Sequence, residues 1–181
     1  MAQQSDGMLT EPISAADWPL GSDDAPVTVV EYGDYDCGAC RTAHAAVKKL
    51  IEQRGEMIRI AYRQFPLMKQ HPRALPAALA AMAAGNQGMF WQMHDRIFEG
   101  AHEPSDEKLR SYAEELGLDM ARFEGDIQEK DLEREVLRRR MEGLKSGLNA
   151  TPSFWINGKK HEGPITLDGL VKAVDKAAQG G

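Results

Sequence analysis

The chain has 181 residues, 42% of them hydrophobic and 28% charged, a composition that suits one globular domain with a real core. The net charge of −6 and the lack of a dense basic cluster argue against a nucleic-acid partner. No run of about 18 apolar residues occurs, so no membrane span is expected. The stretch from Met1 to Pro26 has neither the basic nor the apolar region of a secretory signal, which makes the cytoplasm the expected compartment, or the periplasm if a signal has been removed.

Residues 1–24 are polar, carry turn formers around Gly21–Asp24, and read as a loosely held arm. Ala25–Tyr32 (APVTVVEY) is rich in β-branched residues and bounded by Pro26 and Gly33, which predicts a buried strand. Over residues 37–54, Ala43, Ala46, Val47, Leu50 and Ile51 recur at helical spacing, and Gly55 follows the last turn. Met57–Phe65 reads as a second strand, ended by Pro66. Strand, helix and strand so closely spaced predict a βαβ unit with parallel strands and a right-handed crossover.

From residue 67 to residue 147 the periodicity is helical throughout. Arg73–Gly85 is one predicted helix; Met89–Gly100 is another, with Phe90, Trp91, His94, Ile97 and Phe98 on one stripe. A third opens at Ser105, with Leu109, Tyr112, Ala113 and Leu116 inward and Gly117 as its stop. A long helix is predicted over 127–146, with Leu137, Met141 and Leu144 in register with Leu148. Its mixed-sign run Glu129–Glu142 reads as a solvated face. The period then returns to two on either side of Asn157-Gly158, a strong signal for a two-residue hairpin turn. A last helix carries Leu167, Leu170, Val171 and Val174 on its inner face. Residues 1–24 are thus the arm, 25–66 and 148–181 the expected α/β core, and 67–147 a helical insertion.

The only two cysteines, Cys37 and Cys40, stand where the first strand hands over to the first helix. They are too few and too close to staple a fold. Asp36 is the expected N-cap, which puts Cys37 in the first turn, where free N–H groups and the helix dipole favour a thiolate. Helical residues three apart have Cβ atoms about 5–6 Å apart, near disulfide reach. Cys40 falls on the buried stripe and Cys37 at the tip, the asymmetry of an attacking and a resolving sulfur. The alternative is a metal or iron–sulfur binding module using the same pair. His44 shares a face with Cys40 but lies about 10 Å along the axis from Cys37, and a closed zinc site lacks its fourth ligand. His44 reads as a helix-surface residue, and His71, His94, His102 and His161 as scattered.

The segments VEYGDYDCGAC, FWQMHDRIF and TPSFWINGK, in this order, resemble the DsbA-like thioredoxin-fold family of thiol:disulfide oxidoreductases over residues 25–178. The likeness is closest to the branch found in bacteria as stand-alone or transporter-fused cytoplasmic domains. It implies a thioredoxin fold, β-α-β then β-β-α with an all-helical insertion, and a protein-disulfide oxidoreductase acting on protein thiols and disulfides with no cofactor and no metal. It also implies that Cys37 is the nucleophile, Cys40 the resolving thiol, and Pro152 a cis-proline beside the pair. Pro152 has no N–H, so Thr151 is expected to offer its backbone to an extended substrate. An acidic side chain under the site is implied at Glu31, where burial would raise its pKa and let it exchange protons with Cys40. The glutathione-using branch of the fold fits less well, because it resembles serine or single-thiol sites. The best-known oxidising members place a histidine between the cysteines; here Gly38 and Ala39 stand there, with Asp34 and Asp36 upstream. A Cys37 pKa of about 6–7.5 is therefore expected, with reductase or isomerase character rather than strong oxidation.

Overall fold

The computed structural model describes residues 7–180. Four strands, β1 (Val27–Gly33), β2 (Ile58–Gln64), β3 (Ser153–Ile156) and β4 (Lys159–Lys160), form one sheet in the order β2-β1-β3-β4. β1 pairs with β2 in parallel and with β3 antiparallel. The crossover between the parallel strands is α1 (Gly38–Arg54), as its apolar spacing predicts. The β3–β4 turn sits at Asn157 and Gly158, with φ of 47° and 77°, the double positive φ that Asn-Gly accommodates. Asn157 also bonds across to Thr28, accepting its N–H at Oδ1 and donating its own N–H to its carbonyl.

One face of the sheet packs against α1 and the C-terminal α7 (Leu167–Gln179), burying Val27, Val29, Ile58, Ile60 and Phe154 against Val47, Leu50, Leu170 and Val174. The opposite face buries Val30, Tyr32 and Trp155 with Phe65 and Leu148. Between β2 and β3 lie five helices: α2 (Ala74–Gly85), α3 (Phe90–Glu99), α4 (Asp106–Glu115), α5 (Met120–Gln128) and α6 (Lys130–Lys145). Their shared core runs from the alanine face of α2 through Phe90, Met93, Ile97, Leu109, Tyr112 and Phe123 to Tyr35, Cys40 and Tyr62 of the α/β part.

Three expectations differ from the structure. The arm is not loose over its described part. Leu20 bridges Ile60 on β2, Met8 bridges Lys159 on β4, and a 3-10 turn at Ala15–Asp17 buries Asp17. The long helix over 127–146 is two helices, broken at Glu129, whose extended φ and ψ end α5 and start α6. The inner face of α6 is also another one: Val136, Arg139, Glu142 and Gly143 are buried, whereas Met141 and Leu144 are 50% and 42% exposed. The physical reason is a buried ion cluster. Asp17 accepts from the Arg63 guanidinium through both carboxylate oxygens at 2.9 Å, and Arg139 lies 3.2 Å from Asp17 and 3.4 Å from Glu142. Part of the supposedly solvated charged run thus neutralises charge inside the protein.

Candidate active site

β1 ends at Gly33, and Tyr35 and Asp36 lead to the N-terminus of α1, where Cys37 itself is the N-cap in extended conformation. Asp36 is therefore not the cap. Its carboxylate accepts from the Arg73 N–H at the start of α2. Asp34, fully buried, accepts from the N–H groups of Asp36 and Leu67 and bonds His71 Nδ1 at 2.8 Å. Both acids are thus tied to the loop before α2 and to their own backbone. Asp34 also turns its carbonyl to the Cys37 N–H, and the Cys37 carbonyl accepts from Arg41 in the first helical turn.

Both cysteines are free thiols; Cys37 is half-buried and Cys40 fully buried. The pair is split electrostatically. A hydrogen bond from the Cys40 thiol, opposed by partial burial and aided by the N–H groups of Cys40 and Ala39 and by Thr151, lowers the Cys37 pKa to about 5. The same bond to Cys37, together with burial, pushes the Cys40 thiol far above its ordinary range. The value at Cys37 lies below the expected 6–7.5 or so because that expectation turned Asp34 and Asp36 toward the sulfur, and their carboxylates are engaged elsewhere.

Thr151 comes from the other half of the α/β core and meets the pair across the chain. Its hydroxyl bonds Cys37 Sγ at 3.7 Å and its carbonyl lies 3.8 Å from the same sulfur. The Thr151–Pro152 peptide is cis. Glu31, on β1, is 3% exposed, and burial raises its pKa to about 8. Its charge is among those that raise Cys40. Of the five residues singled out in the sequence, Cys37, Cys40 and Thr151 meet at the start of α1, Pro152 follows Thr151, and Glu31 lies two residues before the end of β1.

His71 adds a residue that the sequence did not assign to the site. The hydrogen bond to Asp34 raises its pKa, and the Cys37 charge adds to that rise. Phe90 and Trp91, on the stripe of α3, both engage Trp18. Phe90 stacks on it at 5.1 Å and the Trp91 indole donates to its carbonyl at 2.6 Å. At the C-terminal end of α3, Arg41 of α1 donates to the carbonyls of Phe98 and Gly100. Nor is His44 a surface residue. It is 5% exposed and turned toward α3, where Asp95 and Glu99 lie 3.6 and 3.4 Å from Nε2. The reading of His44 with the cysteines as one metal site has no support in this arrangement. Burial lowers the pKa of His44 and, more strongly, of His94.

A family model described as thioredoxin matches residues 14–176. Among curated proteins, the chain is similar to Na(+)/H(+) antiporter NhaA 1 of Salinispora arenicola, 41% identical over 165 residues, covering 88% of this chain and 24% of that protein. It is also similar to Na(+)/H(+) antiporter NhaA of Herminiimonas arsenicoxydans, 34% identical over 160 residues, covering 88% and 25%. The chain spans about a quarter of the length of these relatives. Among the described residues no helix is long and apolar enough to cross a membrane. Among solved structures, a thioredoxin-like oxidoreductase from Silicibacter pomeroyi superposes with a TM-score of 0.81 at 29% identity, covering 96% of this chain and 97% of that one. The thiol-disulfide exchange protein alpha-DsbA2 from Wolbachia pipientis superposes with a TM-score of 0.77 at 25% identity, covering 87% and 85%. BdbD from Bacillus subtilis, 21% identical with a TM-score of 0.82 over 97% and 100% of the two chains, shares the fold.

Proposed function

Because this chain belongs to the thioredoxin family, among its DsbA-like thiol-disulfide oxidoreductases, we propose that it exchanges disulfides with protein substrates through Cys37 and Cys40. The Cys37 thiolate attacks one sulfur of a substrate disulfide. That S–S bond breaks, a Cys37–substrate disulfide forms, and the first substrate sulfur leaves as a thiolate. Cys40 then loses its proton and attacks Cys37 Sγ; the mixed disulfide breaks and the second substrate thiolate leaves. The substrate has gained two electrons and the pair has become a disulfide. Run backwards, the same steps oxidise a substrate dithiol, with Cys40 leaving and taking up a proton.

Glu31 is the proposed partner for that proton. At neutral pH it is mostly protonated, given its pKa of about 8, so it is poised to protonate Cys40 as Cys40 leaves. Thr151 is the proposed positioning residue for substrate, with Pro152 beside it, since its polar groups already meet the attacking sulfur.

The observation that carries this reading is the opposite displacement of two thiols within one helical turn, Cys37 down to about 5 and Cys40 up. A reactive thiolate beside a protonated thiol is the resting state that dithiol exchange requires. Direction follows from how strongly the thiolate is held. A Cys37 pKa of about 5 lies between roughly 7 for thioredoxin and roughly 3.5 for DsbA. We place the potential between about −270 and −120 mV, nearer the isomerase range than either extreme.

Three measurements test the proposal. Cys37→Ala abolishes exchange, and Cys40→Ala accumulates mixed disulfides through Cys37. Equilibration with glutathione buffers gives the potential. Normal turnover in the Cys40 variant, or crosslinking through Cys40, overturns the assignment; a potential at either limit overturns the poise.

A further inference from the structure

Away from the cysteine pair, α1 and α3 bring together a second set of ligand-bearing side chains. His44 on α1 and His94 and Asp95 on α3 each offer one nitrogen or oxygen, and these atoms lie within 4.8 Å of one another. The two imidazoles are buried, their centroids 5.2 Å apart at 62°. Nδ1 of His94 is bonded to the Tyr35 hydroxyl at 3.0 Å, which leaves Nε2 as the ring atom free of that bond. A hydrogen bond on one ring nitrogen is the usual way a protein fixes the tautomer and orientation of a metal-binding histidine. Glu99, one turn beyond Asp95, stands 3.4 Å from His44 Nε2 at the edge of the cluster. A cavity of about 160 Å³ reaches the cluster from between Leu20, Lys48, Ile51 and Trp91.

The geometry points to a binding site for a divalent first-row transition ion, held by His44, His94 and Asp95 with Glu99 at its edge, and distinct from the redox pair. Two imidazoles and a carboxylate suit zinc, copper or nickel rather than calcium or magnesium, which take oxygen ligands. Bonds of about 2.0–2.2 Å place the donors of a tetrahedral ion about 3.4 Å apart. The side chains therefore close by roughly an ångström around the ion, and Asp95, 35% exposed, has the freedom to do so. Lys48 is the built-in competitor. Its ammonium is 3.3 Å from Asp95 and also pairs with Glu99, so it holds the carboxylates while the ion is absent. Occupation would tie the helix that carries the cysteines to the helical layer through ligands from both.

The test is titration of the oxidised full chain with zinc chloride, because a disulfide between Cys37 and Cys40 leaves no thiolate to bind metal. One zinc per chain is expected. His44→Gln and Asp95→Asn each weaken binding by at least about tenfold, and Lys48→Met tightens it. Cobalt added to the oxidised wild-type chain gives visible bands of nitrogen and oxygen ligation without thiolate charge transfer, a readout that needs no variant to fold. Absence of zinc binding in the oxidised chain, binding only after reduction, or equal affinity in the His44 and Asp95 variants overturns the site.

Discussion

Asp17 and Glu31 are equally buried carboxylates, each 3% exposed, and they are displaced in opposite directions. Burial acts on both, but around Asp17 the Arg63 guanidinium, the Ser14 N–H and Arg139 overcome it and lower the pKa. Around Glu31 burial acts alone and raises it to about 8. The region of Asp17, where the arm meets β2 and α6, neutralises its charge and holds parts of the chain together. The region of Glu31, on β1, offers no such partner and favours the protonated acid. The same low-dielectric interior thus holds a charge in one place and a proton in the other, and partners decide which.

The comparison breaks most visibly at Asp17. Asp17→Ala strands Arg63 without its bidentate partner, and loss of one member of a buried pair costs about 3–5 kcal/mol. Denaturant unfolding measures it, and a loss under about 1 kcal/mol would show that Arg139 and water replace the carboxylate.

Glu31→Gln has the opposite sign. A carboxyl whose folded pKa is raised binds its proton more tightly in the folded state, so stability falls as pH rises from the unfolded value near 4.5 through about 8. Glutamine mimics the protonated acid, and the variant gains roughly 3 kcal/mol at pH 7, a gain that vanishes below about pH 4. Stability curves at several pH values check this. In the same variant the pH dependence of exchange flattens near 8 if Glu31 carries the proton of Cys40. An unchanged pH profile would leave Glu31 with a structural role only.

The smallest effect is at His71. Its ring is bonded to Asp34, which raises its pKa and favours a positive charge on the Cys37 side of that carboxylate. His71→Ala raises the Cys37 pKa from about 5, read from the ultraviolet absorbance of the thiolate. A Cys37 titration indifferent to this substitution would assign the low pKa to Cys40, the helix N-terminus and Thr151 alone.

Local patterns carried much of this molecule. β-branched runs placed β1 and β2, helical spacing placed α1 and α7, and Asn157-Gly158 placed the hairpin. The position of Cys37 and Cys40 after a strand pointed to their chemistry. What escaped was set by residues far apart in sequence. Arg63 meets Asp17 across 46 residues, and no periodicity in the arm announces that contact. The inner face of α6 differs because hydrophobicity favours Leu137 and Met141, whereas Arg139 turns inward to Asp17 and Glu142 pairs with Arg138 and Arg139 on the same helix. His44 was misplaced for a related reason, since its partners on α3 lie 51 to 55 residues on. At Cys37 direction matters more than proximity: Asp34 and Asp36 are close in sequence, but their carboxylates bond the segment before α2.

The arm also has a consequence for how the molecule meets its own copies. An open sheet ends in two strands with unpaired N–H and C=O groups, each a template for another chain. Here a single segment occupies part of both borders. Leu20 exchanges two backbone hydrogen bonds with Ile60 on β2, and Gly7 and Leu9 bond Lys160 and Gly158 at the β4 hairpin. One segment thus covers part of each edge of the sheet, so prising it off frees backbone groups on both edges at once.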